Sequence, residues 1–383
     1  MATALQSPPA AVQTPSTVSF YRPELDALRF FAFLGVFFFH AMPSDARSYA
    51  FMGQIALWVR GLLKSGAFGV DLFFALSAYL ITILLMREKE IRGSLDVKSF
   101  YLRRILRIWP LYFAFLAFAI LLTSLHFRSQ NLTARYVAGY LALAGNWVYA
   151  AYGLPQSVTI PLWSISIEEQ FYLLWPLAVR TSSRRLMVWT AAFLLILSNA
   201  TRALLVHRGA SEHAIEYNTL ARLDPIALGI LLALSLGSRH KTMSTIKRTI
   251  LFSGAAATWI LVGRCGESNS LHVDALRILL GRPAVALASV AMLMATIGLR
   301  GRLIHPAVIY LGKISYGLYV IHAFGLLVAW RLTGGHATTY ASTKGALLGL
   351  LITVLLSALS YRWLETPFLS LKQGFAHVDS RSI

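Results

Sequence analysis

Apolar residues run along this chain in long blocks rather than in alternation. Stretches near 26–42, 68–86, 108–125, 162–179, 186–206, 223–237, 249–263, 283–299, 307–330 and 345–361 approach the ~20 residues a helix needs to cross a bilayer. The pattern predicts an all-α polytopic membrane protein, a bundle of about ten transmembrane helices. A further apolar stretch, Tyr136 to Ala150, makes eleven possible. Counting it would carry Arg180, Arg184 and Arg185 to the outer side, so it is expected to be interfacial, re-entrant or packed on the bundle.

Composition removes the soluble alternatives. Hydrophobic residues make up 57% and charged residues only 13% of the chain, with a mean hydropathy of +0.61. The formal net charge of +19 would suit a nucleic-acid binder. In a membrane protein, however, Lys and Arg gather first at cytoplasmic helix ends. With the N- and C-termini cytoplasmic, most of the 35 basic residues fall in inside segments, including Arg87 to Arg107, so no nucleic-acid partner is expected. Residues 1–20 lack the basic start and apolar middle of a cleavable signal and are expected to be a disordered tail. A membrane domain over 21–370 and a short C-terminal tail, 371–383, complete the organisation. One cysteine, Cys265, excludes an intrachain disulfide framework, and no Cys/His spacing suggests a metal.

Chemistry is then sought in the polar groups that interrupt the apolar blocks, since a charge at the bilayer centre costs roughly 2.5–3.5 kcal/mol on insertion scales. Arg29 and His40 are 11 residues apart in LRFFAFLGVFFFHAMP, which on a helix means one face and roughly 16 Å of rise. They are expected to enter one cavity at two depths, with Asp26 one turn from Arg29; the alternative is an arginine that snorkels to the surface. Asp71 reads equally as a helix-start carboxylate or as a charge partner in that cavity, while Ser77 and Ala78 read as helix-packing residues. Arg103, Arg104 and Arg107 at the start of the third span offer three planar forks to a polyphosphate, or simply anchor the helix to the cytoplasmic face. In PLWSISIEEQFYLLWP, Glu168 and Glu169 point about 100° apart, so one at most faces the cavity of His40. Ser164, Ser166 and Gln170 flank them. Tyr316, Tyr319 and His322 recur on roughly one face of the ninth span, either as contacts to a bound molecule or as core. A buried carboxylate with His and Arg serves either a general base or a transporter's proton relay. The absence of a two-half repeat and of paired Gly or Pro breaks speaks against the transporter.

Taken together, YRPELDALRFFAFLGVFFFHA, FGVDLFFALSAYLIT, FYLRRILRIWPLYF, LWSISIEEQFYLLWP, LGKISYGLYVIHA and WLETPF resemble the acyltransferase-3 family of integral membrane O-acyltransferases, in the family's order and over nearly the whole chain. The family's R-x10-H pairing falls on Arg29 and His40, and its R-R-x-x-R signature on Arg103, Arg104 and Arg107. The resemblance implies a bacterial inner-membrane enzyme that moves an acyl group, usually acetyl, from cytoplasmic acyl-coenzyme A to a hydroxyl of a carbohydrate or glycosylated acceptor. It further implies that Arg103, Arg104 and Arg107 hold the donor's phosphates and that His40, helped by Arg29 and oriented by Glu169 or Asp71, acts as base or else carries the acyl group as a covalent acyl-histidine. Glu168, Ser166, Tyr316, Tyr319 and His322 would contact the acceptor. Ala78 and Tyr79 depart from the family's usual Gly and Phe, and Thr366 replaces the usual Arg after Glu365. A hydrolase-like C-terminal domain common in the family is not expected within these residues.

Overall fold

A computed structural model of the chain describes residues 21–43, 45, 47–125, 132–237, 243–265, 274–299, 304–334 and 339–372. The expected tail over 1–20 and the C-terminal residues 373–383 lie outside them. Within the described residues the chain is helical, with no extended strand. The helices are α1 (Pro23–Ala41), α2 (Ile55–Ser65), α3 (Gly69–Arg92), α4 (Val97–Ser124), α5 (Ala134–Leu141), α6 (Gly145–Tyr152), α7 (Leu162–Thr181) and α8 (Arg184–His207). They continue with α9 (Glu212–Glu216), α10 (Asp224–Leu236), α11 (Thr245–Arg264), α12 (Arg282–Thr296), α13 (Pro306–Lys313), α14 (Ser315–Leu332), α15 (Thr339–Ser360) and α16 (Thr366–Lys372).

Six helical stretches among the described residues are long and apolar enough to cross a membrane: Ile55–Arg92, Val97–Ser124, Arg184–His207, Arg277–Thr296, Ser315–Leu332 and Ser342–Leu371. Helices α1 and α7, at 19 and 20 residues, have spanning length but carry the charges singled out above. The outward faces are those of a protein built for lipid. Trp189, Phe193 and Ile196 on α8 and Leu347, Leu351 and Leu355 on α15 are exposed at helical spacing, an apolar surface far beyond what a soluble protein shows to water.

Several boundaries differ from the sequence expectation. Tyr136 to Ala150 is not one helix: α5 ends at Leu141, Leu143 takes a positive φ of 53°, and α6 starts at Gly145. Eight residues rise only ~12 Å, so neither piece spans. Both are packed on the bundle, where Tyr140, Asn146 and Tyr149 are fully buried and Tyr112 Oη donates to the Tyr140 carbonyl at 3.0 Å. The ninth apolar block divides at Ile314 into α13 and α14, and α10 has 13 residues, a rise of ~20 Å.

Close backbone contact fixes where α1 lies. Gly66, in the turn between α2 and α3, faces Gly35 of α1, and an added Cβ there would run into the Gly35 carbonyl; one at Gly69 would meet the Ala32 carbonyl. Small residues at helix crossings let backbones approach so closely that no other side chain fits. Gly66→Ala should therefore lower stability by about 1–3 kcal/mol, read as a fall in the melting temperature of the detergent-solubilised protein. Gly254→Ala on α11, where nothing lies within 4 Å of the new Cβ, should melt as wild type does.

Candidate active site

The first catalytic candidates enter on α1. Pro23 occupies its first turn, where a missing N–H costs nothing, and Glu24 and Asp26 follow at the positive end of the helix. Asp26 is buried and binds Arg29 at 2.9 Å, so the arginine carries its counter-charge with it. Arg29 lines a cleft of about 730 Å³, open at its mouth, that runs between α1, α3, α4, α7 and α14.

The basic signature divides between that cleft and the protein interior. Asp96 caps α4 by accepting from Ser99 N at 3.0 Å, and its own N–H donates to Glu88 Oε1 at 3.1 Å. The other oxygen of Glu88, a buried carboxylate on α3, binds Arg103 at 2.9 Å. Arg103 thus ties α4 to α3 and is absent from the cleft lining, which corrects its expected place beside the other two. Arg104 and Arg107, one turn apart, line the cleft with Arg29. Arg104 sits 5.5 Å from the ring centres of both Phe100 and Tyr172, and its Nε is buried without a hydrogen-bond partner.

Helix α7 sends its adjacent carboxylates in different directions, as their 100° separation requires. Glu168 faces the cleft, where Ser77 Oγ donates to it at 2.8 Å and Tyr172 Oη at 3.1 Å. Glu169 points toward α4 and accepts from Trp109 Nε1 at 3.2 Å. Its contact with His40, expected from sequence, is not made. Ser166 is fully buried, its Oγ directed to the Leu162 carbonyl and lying beside Gly145 of α6. That places it in a helix crossing, out of reach of a substrate.

Asp71 also turns from His40. It is buried on α3 and pairs with Arg222 at 3.3 Å and with Arg282 at 4.0 Å, and both arginines also meet Glu216. A second buried pair, Arg202 with Asp224 at 2.9 Å, stands nearby on α8 and α10. These partners come from segments far along the chain.

At the far end of the cleft, Tyr319 Oη and Ser164 Oγ share a hydrogen bond of 2.7 Å, and the Phe73 ring stands 5.7 Å from that of Tyr319. Tyr316 lines the same wall while donating to the Ile108 carbonyl at 2.8 Å. His322, one turn above Tyr319, is buried at 1% exposure, and its ring lies 5.7 Å from Tyr319 and 5.1 Å from His40. His40 itself is exposed at the end of α1 and is not part of the cleft lining. Arg29 and His40 therefore do not share one open cavity. Tyr319 and His322 stand between the arginine-lined cleft and the histidine at the helix end.

Sequence reasoning passed over Tyr172, although it lies four residues after Glu168 and so on the same helical face. It also read Ser77 as packing and had no signal for Glu88, whose role depends on a partner 15 residues away across a turn.

No group of His, Cys, Asp and Glu suited to hold a metal occurs among the described residues. What the cleft assembles is anion recognition at one end, from Arg29, Arg104 and Arg107, and a carboxylate and hydroxyl set along its wall. At the other end an imidazole lies beyond a tyrosine.

That arrangement belongs to a known class. The chain is a member of the acyltransferase-3 family, whose acyltransferase-domain model matches residues 22–362. Among its relatives, the O-acetyltransferase OatA of Staphylococcus aureus strain NCTC 8325 is 26% identical over 374 residues, covering 93% of this chain and 58% of the relative. A candidate O-acetyltransferase of Staphylococcus aureus strain MRSA252 is likewise 26% identical, over 94% of this chain and 59% of its own length. The chain thus spans somewhat over half the length of these relatives. No solved structure matches it.

The split of the basic signature has a stability signature. Arg103→Met leaves Glu88 buried without its ion-pair partner and should cost about 3 kcal/mol. Arg104→Met removes a guanidinium that makes no ion pair among the described residues and is attracted only at longer range by Glu168 and Glu169, so it should lower the melting temperature less than Arg103→Met does.

Proposed function

We propose that this protein is a membrane O-acyltransferase that moves an acyl group, acetyl foremost, from cytoplasmic acyl-coenzyme A to a hydroxyl of a carbohydrate or glycosylated acceptor. The observation that carries the reading is the convergence of Arg29, Arg104 and Arg107 on one cleft whose opposite wall abuts the His322–His40 pair. Family membership and the O-acetyltransferase names of its relatives support it. The long, polyphosphate-bearing donor suits a cleft with cations at its mouth, because planar guanidinium forks match phosphate oxygens. About 16 Å of helix rise separates Arg29 from His40, a distance of the order a pantetheine arm covers.

In this mechanism Arg104 and Arg107 hold the donor, Arg29 flanks its path, and the thioester lies on the cleft side of Tyr319. The acceptor approaches from the exposed end of α1. His40 takes the proton of its hydroxyl as the oxygen attacks the thioester carbonyl carbon, and the carbon–sulfur bond breaks to release the thiolate. A base so placed accounts for about 10²- to 10⁴-fold. A transporter is the alternative from sequence, and no observation on the molecule favours it over transfer.

The topology that goes with this reading has ten spans, cytoplasmic termini, and a location in the bacterial inner membrane. Residues Arg103 to Arg107 lie at the inner face and His40 at the outer.

Three measurements test the proposal. His40→Ala should lower kcat by 10²- to 10⁴-fold with the protein still folded and inserted, and His40→Gln should be equally impaired because an amide cannot take up the proton; activity within threefold of wild type removes His40 from the mechanism. Arg104→Ala and Arg107→Ala should raise KM for acetyl-coenzyme A at least tenfold with little change in acceptor KM. Single cysteines at Ser94 and Ser211, in a Cys265→Ala background, should react with an impermeant thiol reagent from the cytoplasmic and outer sides respectively. Reaction of both from one side rejects the transmembrane route.

A further inference from the structure

With Glu169 and Asp71 engaged elsewhere, the reading above lacks a group to orient its base. We propose that His322 is that positioning residue: it holds His40 in the tautomer protonated at Nδ1, so that Nε2 is the nitrogen that accepts the proton. This inference rests on the assignment of His40 as base and adds the atom that acts and the residue that prepares it.

The argument runs from what each neighbour can accept. His322 Nδ1 lies 2.7 Å from the Tyr319 carbonyl oxygen. A carbonyl only accepts, so that nitrogen carries the hydrogen. The rest of the ring is packed against Phe33 and Phe37, with centroids at 6.2 and 6.4 Å, and no carboxylate touches it among the described residues. A charged imidazolium buried in such apolar surroundings would carry an uncompensated desolvation cost. His322 is therefore neutral, and its Nε2 presents a lone pair. That lone pair lies 3.3 Å from His40 Nδ1.

His40 Nδ1 meets a second acceptor, the Val36 carbonyl one turn back on its own helix, at 2.9 Å. Two independent acceptors thus face one nitrogen, and only an N–H there satisfies both. The tautomer follows from these partners, since hydrogen positions are inferred from the network. His40 Nε2 has no hydrogen bond among the described residues, and the residue is exposed, so this nitrogen is open to an incoming hydroxyl.

The arrangement also serves the reaction after the proton moves. When Nε2 takes the acceptor's proton, the oxygen–carbonyl-carbon bond forms, the carbon–sulfur bond breaks, and the proton on His40 is later available to the departing thiolate. In the interval His40 is an imidazolium whose Nδ1–H already points at two acceptors, and a charged donor strengthens both bonds. His322 thus does for His40, with a neutral imidazole, what a buried carboxylate does in other histidine-dependent transferases. A buried, neutral partner offers weaker stabilisation than a carboxylate, but it brings no second charge into an apolar helix crossing. The sequence expectation that His322 touches the acceptor is corrected accordingly, because at 1% exposure it is out of an acceptor's reach.

The test uses the full-length protein in detergent or nanodiscs. His322→Leu, which keeps most of the volume and loses the acceptor, should lower kcat about 10²-fold while KM for donor and acceptor stays within about twofold. His322→Gln, whose side-chain oxygen sits near the position of Nε2, should return kcat to within about fivefold of wild type. Nitrogen-15 NMR of ring-labelled histidine, with His40 assigned by its loss in His40→Gln, should report Nδ1–H in wild type and in His322→Gln and a larger Nε2–H fraction in His322→Leu, where the Val36 carbonyl is the one acceptor left to Nδ1 among the described residues. An Nε2–H tautomer of His40 in the wild-type protein overturns the proposal, as does wild-type kcat in His322→Leu. Should His322→Leu fail to fold, His322→Phe, a ring without an acceptor at the position of Nε2, takes its place with the same expected loss of kcat and the same shift toward Nε2–H, and wild-type values for both overturn the proposal. The NMR readout is independent of turnover, so an active His40→Ala enzyme would overturn the assignment of the base without bearing on the tautomer.

Discussion

A guanidinium inside a helical bundle must find a counter-charge or a ligand, and where each arginine of this protein meets that demand decides the shape of the rest. Arg202 pairs with Asp224, Arg222 with Asp71 and Arg103 with Glu88, each through a buried carboxylate on a neighbouring helix or an adjoining turn. These pairs gain little net stability over apolar substitutes of the same volume, yet breaking one strands a charge and costs several kcal/mol. They therefore act as registration devices. Arg202 locks α8 to α10, Arg222 locks the segment before α10 to α3, and Arg103 locks the start of α4 to α3. Arg104 makes no such ion pair among the described residues; it lies against two aromatic rings, with Glu168 and Glu169 attracting it at longer range. In the acyl-transfer reading proposed above, its position on a cleft wall suits a group kept for a ligand.

The glycine contacts supply the second half of the geometry. Because Gly35 meets Gly66 and Ala32 meets Gly69 at backbone distance, α1 cannot slide or rotate against the α2–α3 junction without a clash. Its two functional residues are thereby held at fixed depth, Arg29 against the cleft and His40 against His322. Met42 follows in an extended conformation, which ends α1 one residue after His40 and leaves the imidazole exposed at the end of the helix.

How much of this was legible in the chain follows from the range of each interaction. Blocks of apolar residues revealed helices because hydrophobic length is a local property, and the eleven-residue step from Arg29 to His40 placed them on one face correctly because a helix keeps its own period. The Asp26–Arg29 pair and the divergence of Glu168 from Glu169 are local for the same reason. What failed was every partner across sequence distance. Asp71 and Arg222 are 151 residues apart and His40 and His322 are 282 apart, and nothing in either local pattern announces the other. Arg103 failed differently: its spacing with Arg104 and Arg107 fits a triad, but consecutive helical residues diverge by ~100°, and the buried Glu88 captured the one that points inward.

Under the proposed transfer from an acyl thioester, the separation between the cleft and His40 is the arrangement's most consequential feature. If the cleft opened freely onto His40, water entering from the exposed end of α1 would reach the thioester whenever the acceptor was absent. In that reading Tyr319, held by Ser164 and beside Phe73, stands across the route, tied by a single hydrogen bond of 2.7 Å between two hydroxyls. Such a bond contributes only about 1 kcal/mol net, so an arriving substrate group that offers either hydroxyl a replacement partner can open the way at little cost. Tyr319 lies three residues before His322 and supplies the carbonyl that sets the tautomer of that ring. On the proposed reading, one turn of α14 thus serves both the cleft and the base, because a rotation of the tyrosine side chain would leave undisturbed the backbone oxygen on which the histidine pair depends.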